Sequence, residues 1–253
     1  MGRAFTTALG FTNLAVLGTI GGDPRRALVL ADEAIALSVE NEFASPDRRA
    51  RFFRGSLIAQ AGDLQAGIDL MRSAFAAADS NSERNRRTLY LCHIASAYAN
   101  LGQPEVSLEL LNEAAQAAEA TSERFFEAEL YRLRAKIRLS LDKKGEAEAE
   151  LKRALTIARQ QEARWWELRT ATTLARHWRD EGRSFEAISL LQPIYSWFVE
   201  GFDTPDLKKA KTLLDQLRIV SSTQIQTARG GSLDDARLNR GYALRDWPMP
   251  DSQ

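Results

Sequence analysis

The chain repeats itself every forty residues. "RFFEAELYRLRAKIRLSL" begins at Arg124, and "RWWELRTATTLARHWRDE" begins at Arg164 with the same Arg-aromatic-aromatic-Glu opening. In the same register, small residues recur in four sets: Ala15, Gly55, Ala95, Ala135 and Ala175; Gly22, Gly62, Gly102, Asp142 and Gly182; Ala27, Gly67, Ser107, Ala147 and Ala187; and Ala34, Ala74, Ala114 and Ala154, where Ile194 closes the series. Five units span residues 3–200. A fixed period of this length means a solenoid, in which each unit buries its apolar face only against its neighbours.

Inside a unit, the glycine set separates two long amphipathic stretches, as in "LIAQAGDLQAGIDLM" and "AYANLGQPEVSLELL". Each unit therefore reads as a helical hairpin with glycine as the stop signal. Two turns removed from the repeat leave about seventeen residues per helix, or roughly 25 Å. Small residues fall where antiparallel helices cross too closely for a large side chain. Leu14, Ile94, Leu174, Met71, Leu111, Leu151 and Leu191 are expected to fill the space between. No strand-length apolar alternation is present, so the expected class is all-α.

Composition narrows the function. Thirty-four basic and thirty-four acidic residues cancel, so nothing global draws the chain to nucleic acid or an anionic membrane. One cysteine, Cys92, excludes an internal disulfide and fits a cytoplasmic location. No apolar run reaches membrane-spanning length. Gly2 and Thr6 match an acylation pattern, which the bacterial character argued below weighs against. No cofactor or metal is expected: there is no phosphate-binding glycine loop and no helix with paired histidines. Cys92 and His93 are adjacent on a helix and point about 100° apart, so they do not converge as nucleophile and base. His177, between Arg176 and Trp178, reads as a packing or surface residue. "GGD" at Gly21 to Asp23 falls on the turn phase. Glu146, Glu148 and Glu150 lie on different helix faces, and Glu148 pairs with Lys152 at i,i+4. Catalysis is not expected.

The small residues and turn glycines, best seen in "GDLQAGIDLMRSAF" and "GRSFEAISLLQPIY", resemble the tetratricopeptide repeat with a lengthened period. That resemblance implies a right-handed all-α solenoid of about five hairpins, with an inner groove lined by the first helix of each. Its groove positions correspond here to Leu9, Thr12, Val16, Phe52, Ser56, Ala59, Leu89, Cys92 and Ser96, then Glu129, Arg132, Lys136, Arg169, Arg176 and Arg179. In the fourth unit Arg134 and Arg138 replace apolar residues, and Leu130, Leu133, Ile137 and Leu141 run one residue out of phase. A groove that turns basic along its length suits an acidic peptide segment or chain terminus of another protein. Trp165, Trp166, Trp178, Trp197 and Phe198 read mainly as packing. Trp165 and Trp166 are adjacent, so one of them is a candidate partner anchor.

Residues 120–217 are also similar to the C-terminal repeat region of bacterial proteins that join a class III adenylate/guanylate cyclase-like or DNA-binding domain to a STAND-type ATPase. That resemblance implies a protein-binding scaffold or sensor in a signalling assembly. The alternative it implies is an effector-binding regulatory region controlling a cyclase, ATPase or transcription factor. After the repeats, "EGFDTPDLKKAKTLLDQL" predicts a stop at Gly201 and a capping helix over 203–218. Asp203 or Thr204 is its cap, and Pro205 and Asp206 stand in its first turn. Residues 219–253 lose the period and read as mostly flexible, with a short helix in "SLDDARLNR". The first unit has no cap, so self-association through the N-terminal end is expected.

Overall fold

A computed structural model describes residues 2–77 and 86–219. Among these the chain forms eleven helices and no strand. They are α1 (Gly2–Ile20), α2 (Pro24–Glu40), α3 (Ala44–Gln60), α4 (Leu64–Ala76), α5 (Arg87–Asn100), α6 (Pro104–Thr121), α7 (Glu127–Ser140), α8 (Lys144–Gln160), α9 (Arg164–Asp180), α10 (Ser184–Ser196) and α11 (205–219). Helices α1 to α10 pair consecutively into five hairpins. The expected tail and its short helix lie, from residue 220 on, outside the described residues.

The turns show why the repeat carries the residues it does. Gly62, Gly102, Asp142 and Gly182 end the first helix of their hairpins with φ of 112°, 81°, 56° and 78°. Between hairpins, Glu42, Ser122 and Glu162 take φ of 57°, 56° and 53°. A reversal after a helix calls for a left-handed residue, which glycine supplies without a Cβ clash. The first hairpin turns differently. Gly21 and Gly22 donate their N–H groups to the Leu17 carbonyl (3.2 and 3.1 Å). Asp23 then caps α2 by accepting from the N–H groups of Arg25 and Arg26.

Every small residue of the Ala15, Ala27 and Ala34 series that lies among the described residues is buried. The second hairpin is the tightest: a Cβ on Gly67 would stand 2.6 Å from both the Ala59 nitrogen and the Gly55 carbonyl oxygen. Of the expected fillers, Ile94, Leu174, Met71, Leu111, Leu151 and Leu191 are buried. Leu14 is not. It is 48% exposed. In the fourth unit Leu130, Leu133 and Ile137 take the buried positions, while Arg134 and Arg138 pair with Glu150 at 3.0 and 3.4 Å.

Each odd-numbered helix from α1 to α9 brings its backbone close to the next odd one, whereas among the described residues no two even-numbered helices approach so closely. The odd helices therefore form the inner layer of a curved array. At its end α11 buries Leu207, Ala210, Leu213, Leu214 and Leu217. Each leucine removed from water contributes about 1.5–3 kcal/mol, so this helix has a strong reason to close the apolar end of α9 and α10. No helix among the described residues is long and apolar enough to cross a membrane.

Candidate functional site

The inner layer encloses a cavity of about 320 Å³. Its walls come from Gln60 on α3, Cys92, His93 and Ser96 on α5, Glu129, Arg132 and Lys136 on α7, and Arg169 on α9. Asp206 and Lys209 on α11 and the turn from Gly18 to Pro24 complete it. The cavity opens to water beside the exposed Lys136 and Lys209.

Its charges are organised around one carboxylate. Arg132 donates from Nε and Nη2 to the two oxygens of Glu129, both at 2.6 Å, and both residues are buried. Arg169 reaches the same carboxylate from the next inner helix at 3.2 Å. It also stands 3.4 Å from Asp206 and donates to the Ile20 carbonyl at 3.3 Å. Its guanidinium lies 5.4 Å from the centre of the Trp166 ring. One arginine thus ties α7, α9, α11 and the first turn of the chain together. Beside it the Trp165 ring lies against Gly21, where a Cβ would meet the ring at 3.2 Å.

These contacts set the ionisation of the wall. Burial alone would raise the Glu129 carboxyl, but Arg132 and Arg169 hold it below the usual carboxylate range. Although Lys136 reaches water at the cavity mouth, desolvation by the surrounding wall, with Arg132, Arg169 and Lys209 nearby, lowers it to about 8 against the pull of Glu129. Burial also lowers His93 to about 4, and a Ser56 hydroxyl lies 2.8 Å from its Nδ1. The Cys92 thiol is pushed well up by burial and by Glu129 and Glu123.

The anticipated groove residues fare differently along the array: Cys92, Ser96 and Glu129 line the inner cavity, Ser56 and Ala59 are buried, and Leu9 and Val16 are half-buried. Arg132, Lys136 and Arg169 line the cavity, but the two arginines are committed to carboxylates rather than free. Arg176 and Arg179 line a second groove of about 340 Å³, with Lys208, Lys209, Thr212 and Gln216 of α11. Thr12, Phe52 and Leu89, expected to face the groove, are instead buried at 0%, 1% and 5% exposure. For Phe52 and Leu89 the cause is packing between inner helices: both belong to one core cluster, in which the Phe52 and Tyr90 ring centres lie 4.3 Å apart.

Trp165 and Trp166 are both half-buried. Trp165 packs edge-on to Phe198 at 6.0 Å, and Trp166 to Phe126 at 5.3 Å. The sequence reading missed the contribution of α11. The period itself carried the signal, since Lys209 continues the series Glu129, Arg169 at forty-residue intervals.

A separate cluster joins Glu148, His177 and Glu181, whose ligand atoms lie within 4.8 Å of one another. Arg183 occupies the place a cation would take, 2.9 Å from Glu148 and 3.7 Å from Glu181, and Lys152 stands 2.8 Å from Glu148. Despite partial burial, Lys152 and Arg183 hold Glu148 down at about 2. The cluster is a structural ion network.

No protein-family model matches the chain, and no curated protein matches it. The solved structures define its fold as that of tetratricopeptide-repeat proteins. A thermophilic protein of this class from Thermus thermophilus superposes with a TM-score of 0.61 at 20% identity, covering 82% of this chain and 98% of that one. BtubC of P. vanneervenii gives 0.63 at 16% identity, covering 91% and 96%. PlcR of Bacillus thuringiensis, solved in complex with a peptide and DNA, gives 0.62 at 11% identity, covering 86% and 73%.

Proposed function

We propose that this chain is a non-catalytic recognition scaffold that binds an acidic segment of another protein. The observation that carries the reading is the groove between α9 and α11. Arg176, Arg179, Lys208 and Lys209 line it and no carboxylate does. Arg179 is engaged by Asp180 and Gln216, but among the described residues Arg176 and Lys208 have no ion-pair or side-chain hydrogen-bond partner. Arginine and lysine on preformed helices offer an anion fixed positions at little entropic cost. The fold shared with PlcR, which was solved with a bound peptide, supports a peptide ligand. The similarity of residues 120–217 to the repeats of cyclase and STAND ATPase proteins supports a place in a bacterial signalling assembly in the cytoplasm. A second reading, an effector-binding regulatory region, is favoured by the inner cavity, which shares only Lys209 with this groove.

The test uses a labelled eight-residue peptide of alternating Glu and Ala, with its Gln counterpart as control, followed by fluorescence anisotropy. The Glu peptide should bind and the Gln peptide should not. Arg176→Glu and Lys208→Glu should each weaken binding at least tenfold in dilute salt, with a smaller effect at high salt as screening removes the attraction. Binding indifferent to both reversals would refute the reading.

A further inference from the structure

The inner cavity has a different shape and charge pattern from the groove on which the acidic-segment reading rests. The first turn of the chain reaches across it, held by Arg169 on the Ile20 carbonyl and by Gly21 against Trp165. The cavity volume of about 320 Å³ lies at the low end for small-molecule sites.

The wall holds four cations, Arg132, Lys136, Arg169 and Lys209, against two carboxylates, Glu129 and Asp206. The two arginines are consumed by those carboxylates. Two positive charges therefore remain, and they belong to the lysines. Lys136 has no ion-pair or side-chain hydrogen-bond partner among the described residues, and the nearest anion to Lys209 is Asp206 at 3.9 Å. Uncompensated cations gathered in a concave site are a binding arrangement rather than a stabilising one, since they repel each other until an anion arrives.

We propose that the cavity binds a small dianion, a dicarboxylate or a phosphate monoester, with the Lys136 and Lys209 ammonium groups as its anchors and Arg132 and Arg169 as a fixed positive wall. Ser96 places an uncharged hydroxyl on the same wall. The site belongs to the effector-binding reading; it shares Lys209 with the α9–α11 groove, so Lys136 on one side and Arg176 and Lys208 on the other are the residues that tell the two apart.

Binding also moves a proton. The groups around Lys136 are Cys92 and His93 from α5, Glu129 and Arg132 from α7, Arg169 from α9, and Asp206 and Lys209 from α11. Among these the ammonium is held at about 8. A dianion opposite Lys136 favours the charged form, so near pH 8 complex formation takes up as much as about half a proton per ligand.

Calorimetric titration of the full chain with succinate, phenyl phosphate and acetate at constant ionic strength tests this. At least one dianion should bind tenfold or more tightly than acetate, and the tighter of the two identifies the anion class. Lys136→Gln should weaken it at least tenfold and Lys136→Arg much less. Arg176→Gln should leave it unchanged. At pH 8 the heat should vary with the ionisation enthalpy of the buffer, and that dependence should vanish in Lys136→Gln. Dianion binding no tighter than acetate would overturn the proposal. So would an unchanged affinity in Lys136→Gln, or an equal loss in Arg176→Gln, which would mark general charge attraction. Because the groove is probed through Arg176 and Lys208, the acidic-segment reading stands or falls separately.

Discussion

Gly67→Ala sets two opposing effects against each other at one site. In an open helix, alanine is better than glycine by roughly 1 kcal/mol, because it restricts the unfolded chain. Gly67 is not open. Its new Cβ would lie 2.6 Å from the Ala59 nitrogen and from the Gly55 carbonyl oxygen, both backbone atoms that no rotamer change can move. Relief requires α3 and α4 to separate by more than half an ångström, and overpacking of this kind costs about 1–3 kcal/mol. Since the equivalent positions in other units hold alanine or serine, the barrier lies in the close approach at Gly55 and not in the repeat itself. The net expectation is a loss of about 1 kcal/mol, or a fall of about 2–4 °C in the melting midpoint for a chain of this size. Gly10→Ala on α1 is the control, because a Cβ there meets nothing within 4 Å. It should raise the midpoint. Thermal and urea unfolding followed by circular dichroism would measure both changes. If Gly67→Ala stabilises as much as Gly10→Ala, the close-crossing argument is wrong.

The turns and the cavity wall give two more expectations. Glu162 is exposed and holds φ of 53°, so Glu162→Gly should stabilise by about 0.5–1 kcal/mol through relief of left-handed strain; a lower urea midpoint would contradict this. His93 has a folded-state pKa near 4, below its ordinary value of 6.5, chiefly through burial, with Glu129 raising it and Arg169 lowering it. The stability it contributes is complete above pH 6.5 and is lost as pH falls toward 4. On the order of 2 kcal/mol should disappear between pH 7 and 4.5, and His93→Gln should flatten that part of the urea midpoint profile; an unchanged slope would exclude His93 as its source.

The forty-residue period determined the all-α class, the hairpin as the unit and the places where helices cross. Each is a local consequence of spacing: small residues mark crossings, glycine marks reversals, and a stripe such as Leu207, Leu213, Leu214 and Leu217 marks a face that must be covered. The candidate site was only partly legible, through Lys136, Arg132 and Arg169 in the first helices. Which cations remain free was beyond the sequence, because it depends on carboxylates that other helices bring close. Glu129 neutralises Arg132 three residues away and also Arg169 on the next inner helix, while Asp206 does so from α11. The closure of the cavity joins Arg169 to Ile20, 149 positions apart. Periodicity fixes how neighbours pack, but the curvature accumulated over five hairpins decides whether the two ends meet, and that sum exists only in the folded array.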